Sequence, residues 1–77
     1  MKSVTLTPGQ IRAARALLDW SRHTLADKAG VSVRRLASIE SRQTLTKPAT
    51  MERIFEAFRK EGICFSEQDG VKKEARG

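Results

Sequence analysis

The side chains best suited to chemistry lie in one short stretch, Ser32-Val33-Arg34-Arg35-Leu36-Ala37-Ser38. Two adjacent arginines are followed, one helical turn after Arg34, by a serine hydroxyl. Arginine offers a planar fork of donors that matches phosphates and the edges of bases. Adjacent arginines on an exposed helix therefore point to a nucleic acid. The remaining chemistry is sparse. One histidine (His23) and one cysteine (Cys64) do not supply the three or four ligands of a metal site. There is no nucleophile–base pair, carboxylate dyad or phosphate-binding glycine loop. The sequence thus argues against an enzyme, and no cofactor is expected.

Charge supports the same partner. Among residues 1–47, nine bases face only three acids; among residues 48–77, six bases face six acids. The whole formal excess of +6 sits in the first part. Such segregation is the electrostatic footprint of a polyanion binder.

Four helices must position these groups. Thr7 can cap the first, Pro8 suits its opening position, and Gln10 stands where a capping-box partner belongs. Ile11, Ala14, Leu17 and Leu18 make the apolar stripe of a helix over about 8–20. Ser21 caps the second helix, whose stripe is Leu25, Ala26 and Ala29. Gly30 ends it, since glycine enters the left-handed conformation of a sharp exit. Ser32 caps the third helix, residues 32–41, with Leu36 and Ile39 inward. A loop over 42–47 leads to Pro48 and a fourth helix over about 49–61, striped by Met51, Ile54, Phe55 and Phe58. Gly62 stops it.

The span from Ser21 to Ile39 is the decisive pattern. Two short helices flank a turn at Gly30, and Val31 plugs the angle between them. Ala26 is small where the helices must approach closely. Val33, Arg34, Ala37 and Ser38, with Arg35 beside them, are left on the outer face of the third helix. A helix that protrudes in this way fits a DNA major groove.

Residues 20–40 resemble the helix-turn-helix of the Cro/phage-repressor (XRE-like) transcription regulators. Leu25-Ala26, Ala29-Gly30-Val31-Ser32 and Ile39-Glu40 carry the likeness, which extends over roughly residues 8–61. The resemblance implies a mainly α, four-helix repressor-like DNA-binding domain, with a short C-terminal strand or hairpin in place of a fifth helix. It implies base reading by Val33, Arg34, Ala37 and Ser38. Arg34 is the foremost reader, because arginine can bond guanine O6 and N7 together. Val33 and Ala37 offer only apolar contact, for example to a thymine methyl. It also implies backbone contacts from Arg22, Arg35, Arg42, Thr44 and Lys47. Where the family usually has a glutamine that reaches a phosphate and braces the recognition helix, this chain has Arg22. Arginine keeps the phosphate contact and leaves the bracing open. Where the family often has glycine after the third helix, this chain has Ser41-Arg42-Gln43.

The other polar and aromatic residues read more plainly. Trp20 suits packing, and Phe55, Phe58 and Phe65 suit core or interface. His23 suits the surface, and Cys64 is a small strand residue. Glu40 suits a structural salt bridge or hydrogen bond. Arg12, Arg15 and Lys28 divide between a solvated face and contact with the DNA backbone.

Residues 3–6 and 63–66 have strand character, Gln68-Asp69-Gly70 reads as a turn, and Val71 onward reads as a second short strand or a frayed tail. Ile63-Cys64-Phe65 could pair with 71–73, with 3–6, or with a second copy. The expected division is a DNA-binding domain over 1–61 and an extension over 62–77 that dimerises through Ile63, Cys64 and Phe65. The expected partners are double-stranded DNA, a second copy and, in an antitoxin-like alternative, another protein. Neither a signal peptide nor an apolar span of membrane length is visible, and a single cysteine forms no internal disulfide. The expected setting is therefore the cytoplasm.

Overall fold

The computed structural model describes residues 6–41, 47–66 and 70–73. Helices α1 (Pro8–Leu18), α2 (Arg22–Ala29), α3 (Val33–Glu40) and α4 (Pro48–Arg59) are followed by strands β1 (Ile63–Phe65) and β2 (Val71–Lys73).

Local chemistry sets each helix boundary. The Thr7 hydroxyl accepts from the Gln10 amide at 3.0 Å, and the Thr7 amide donates back to Gln10 Oε1 at 3.0 Å. This reciprocal box, with Pro8 at the first position, opens α1. Ser21 and Ser32 accept from the Thr24 and Arg35 amides and open α2 and α3. Gly30 closes α2 at φ 71°, a conformation that costs a residue with a Cβ energy. Asp19 adopts the same left-handed form at φ 57° and closes α1 at Leu18, short of the expected residue 20. Short polar side chains tolerate that region better than others.

The fully buried side chains Ile11, Leu25, Leu36, Ile54 and Phe58 come from all four helices and meet in one core. Helix α2 packs on α3 and α4, and α1 packs on α3. Ala26 and Ala29 are buried in the same cluster, as their small size at the helix crossing requires. One stripe position is corrected. Leu17 is 47% exposed, whereas Ile11 and Ala14 are buried and Leu18 lies partly so. Leu17 lies about 60° beyond Ala14, outside the arc that runs from Ile11 through Ala14 to Leu18.

Strands β1 and β2 pair with each other, antiparallel, with Ile63 opposite Lys73, Cys64 opposite Lys72 and Phe65 opposite Val71. Strand β1 packs on α4, and β2 on α1. Ile63, 3% exposed, belongs to the common core, and Phe65 and Val71 pack against it. The segment expected to begin an extension at residue 62 thus helps to build the domain. Leu6 is also in that core; residues 3–5 of the expected N-terminal strand and 68–69 of the expected turn lie outside the described residues. Aromatic packing joins the two halves. Trp20 stacks on Phe58 at 5.9 Å between centroids, and Phe65 meets Phe58 at 5.8 Å and Phe55 at 5.9 Å.

Candidate nucleic-acid interface

Helix α3 has two faces of opposite character. Leu36 and Ile39 point into the core, while Arg34 and Arg35 are exposed. Ser32, Arg34, Arg35 and Ser38 line a shallow surface cavity of about 230 Å³. These residues come together because positions 34 and 38 are one turn apart and Ser32 stands at the N-cap. The Ser32 hydroxyl is engaged by the Arg35 amide at 3.0 Å, which fixes the helix start and leaves both guanidinium groups outward. Val33 is half-buried and packs partly on the core, so only part of its side chain faces out. Ala37 and Ser38 are half-buried.

The far end of α3 is anchored by charge. Glu40 is buried, with its side chain 1% exposed. Arg15 Nε donates to Glu40 Oε2 at 3.0 Å and Nη2 to Oε1 at 2.9 Å. Arg15 Nη1 also donates to the Trp20 carbonyl at 3.2 Å. Arg22 Nε donates to Glu40 Oε1 at 3.3 Å. Arg12 Nη1 donates to the Glu40 carbonyl at 2.7 Å, where the negative end of the helix dipole favours a cation. A buried carboxylate requires such partners, since an unpaired buried charge is strongly unfavourable. Glu40 therefore has the structural role its position suggests, and its partners are Arg12 and Arg15 of α1 and Arg22 of α2. The signal for this was available: Glu40 lies four residues after Leu36, on the buried face, and is the sole acid between Asp27 and Glu52.

A family model for the helix-turn-helix domain matches residues 11–62. The chain belongs to the helix-turn-helix family. It is a Cro/repressor-like DNA-binding transcription regulator of the XRE type, as residues 20–40 led one to expect. No curated protein matches the chain. In this helix-turn-helix domain α2 and α3 are the two helices of the motif.

Of the remaining expected contact residues, Arg22 and Lys47 are among the described residues. Arg22 is the first residue of α2 and is exposed. Lys47 is exposed at the start of α4, which it caps through its backbone alone. Arg42 and Thr44 lie outside the described residues. Lys28 sits 6.0 Å from the Trp20 ring centroid, and Trp20 is partly buried. Of the expected dimer residues, Ile63 is buried within its own chain, Phe65 is half-buried against Phe55 and Phe58, and Cys64 is exposed. Among the described residues no three or more His, Cys, Asp or Glu side chains converge. No described helix is long and apolar enough to cross a membrane.

Proposed function

We propose that this regulator is a repressor that binds an inverted-repeat operator as a homodimer, with α3 of each copy in the major groove. The observation that carries this reading is the two-faced recognition helix. Its inner side chains and Glu40 are locked into the fold, while Arg34, Arg35 and Ser38 line an open polar surface. Arg34 is the guanine reader, and Ala37 and the outward part of Val33 give apolar contact. Ser38 bonds a base or phosphate, and Arg22, Arg35, Arg42, Thr44 and Lys47 hold the backbone. Two symmetric copies place their recognition helices about 34 Å apart, one turn of duplex. The hairpin and α4 are the favoured contact between copies. Because Ile63 is used internally, that contact draws on the outward side of β1, where Cys64 lies.

Selection of bound sequences from a random duplex pool tests the reading. Recovery of two related half-sites in inverted order, with a guanine whose selection disappears in Arg34→Ala, is the expected result. Asymmetric single sites would reject the dimeric operator. Sedimentation at micromolar concentration showing monomer alone, with and without DNA, would reject the dimer. The antitoxin-like alternative draws on the neutral C-terminal part, with its strand and charged tail; Ile63 and Phe65 pack on this chain itself, and residues 74–77 lie outside the described residues.

A further inference from the structure

Ser38 stands apart from the other serines of the fold. Ser21 bonds Thr24, Ser32 accepts from the Arg35 amide, Ser41 donates to the Ser38 carbonyl, and Ser66 accepts from the Gly70 amide. The Ser38 hydroxyl has no hydrogen-bond partner among the described residues. It opens onto the surface cavity of about 230 Å³ that it lines with Ser32, Arg34 and Arg35. Helical side chains lean toward the preceding turn, and that turn carries Arg34 four residues back and Arg35 three back. Both arginines are exposed, and neither is in an ion pair among the described residues. Glu40, the one acid of α3, is buried and held by Arg15 and Arg22. A free hydroxyl thus faces two unpaired cations, with space for a group much larger than itself and with the acid of its helix turned inward.

We infer that Ser38 is a phosphorylation site, and that its phosphate switches off DNA binding by engaging Arg34 and Arg35. The co-reactant is a nucleoside triphosphate carried by a serine kinase. Ser38 Oγ forms a bond to the γ-phosphorus, the bond from that phosphorus to the nucleoside diphosphate oxygen breaks, and the hydroxyl proton passes to a base of the kinase. The new group brings nearly two negative charges and three acceptor oxygens to a pair of guanidiniums one turn away. Charge-assisted bonds to both offset the unfavourable end of the helix dipole. The face that offered a duplex two cations then offers it an anion. This rests on the DNA-binding reading above and adds a means of regulating it.

The test uses the full chain, adenosine triphosphate and a serine kinase chosen because it modifies a peptide of residues 31–41. Mass spectrometry should find one phosphoryl group on Ser38 of the folded chain, absent from Ser38→Ala. Fluorescence anisotropy with a random-sequence duplex should show binding about a hundredfold weaker at low salt, roughly tenfold for each guanidinium withdrawn. The slope of log K against log salt should fall by about 1.8, the loss of two phosphate contacts, and a phosphatase should reverse both changes. Phosphorus NMR should place the second ionisation of the phosphate below its ordinary value of about 6, and Arg34→Ala should bring it back toward that value. Thermal melting should be nearly unchanged by the modification. Failure of the kinase to modify the folded chain would mean that the hydroxyl is closed to it, and would overturn the site. A modified chain that binds as before, unfolds, or shows an ordinary ionisation would overturn the switch. If the unmodified chain binds no duplex at low salt, the DNA-binding reading itself fails, while the mass and phosphorus measurements still decide whether Ser38 is modified and clamped.

Discussion

The Arg15 guanidinium holds the Glu40 carboxylate at two points, 3.0 Å and 2.9 Å, and so ties α1 to the end of α3. The two residues are 25 positions apart. Removing one partner of a buried ion pair leaves the other charge buried and costs about 3–5 kcal/mol. Arg22 still faces Glu40 when Arg15 is replaced, so Arg15→Met should fall at the lower end, about 3 kcal/mol. Urea unfolding measures this. A loss below about 1 kcal/mol, the range of exposed pairs, would show that the contact is not a structural anchor.

Arg34 and Lys47 should separate by the kind of binding they lose. Arg34→Ala should cost about 1–3 kcal/mol on the selected operator and little on random DNA. Lys47→Ala should weaken all duplexes alike and lower the salt slope by about 1. Titration of both variants against operator and random duplexes checks this. Equal losses on the two DNAs for Arg34→Ala would remove it from base reading.

Gln10 joins the start of α1 to the hairpin. Its Oε1 accepts from the Thr7 amide, while its Nε2 donates to the Ser66 carbonyl at 3.0 Å and the Gly70 carbonyl at 3.4 Å. The residue is buried and all its polar atoms are used. Gln10→Leu should therefore destabilise the chain by about 1–3 kcal/mol and speed amide exchange in β1 and β2. Truncation after Glu61 should be more damaging, because it removes Ile63 from the core. A truncated chain that melts cooperatively near the full-length temperature would refute the structural role of the hairpin.

The two left-handed helix ends should respond oppositely to substitution. A Cβ at Gly30 meets nothing within 4 Å, so Gly30→Ala carries only the backbone strain, about 1–2 kcal/mol. Gly30→Asn should cost less, because asparagine tolerates this region. Asp19→Gly should be neutral or stabilising, since it relieves the strain at φ 57°. Melting of the three variants ranks them. An alanine as stable as glycine at position 30 would contradict the conformational account.

Much of this architecture could be read without coordinates because its signals are local. The box at Thr7 and Gln10, the caps Ser21 and Ser32, and the left-handed exit at Gly30 each involve residues within one turn. Leu36 and Ile39 declare their face through helical periodicity alone. Leu17 departs from the burial that its spacing suggests. It shares a stripe with Ala14 and Leu18 on a broad helical arc, and the width of the buried arc depends on the neighbour. Asp19 ended α1 early because its conformation is one that sequence pattern does not prefer outside glycine.

The sequence by itself determined that a third helix would follow a glycine turn, and that Arg34 and Arg35 would face outward from it. Helix caps and periodicity act over three or four residues, so those features follow from neighbours in the chain. Only the tertiary structure decided which cations would meet Glu40. Arg12, Arg15 and Arg22 reach it from 28, 25 and 18 residues away. It also decided that strands β1 and β2 close upon their own chain, where Ile63 enters the core and Gln10 donates to the Ser66 and Gly70 carbonyls. Burial of a charge or a strand edge is unfavourable until a partner covers it, and the partner is chosen by packing in space.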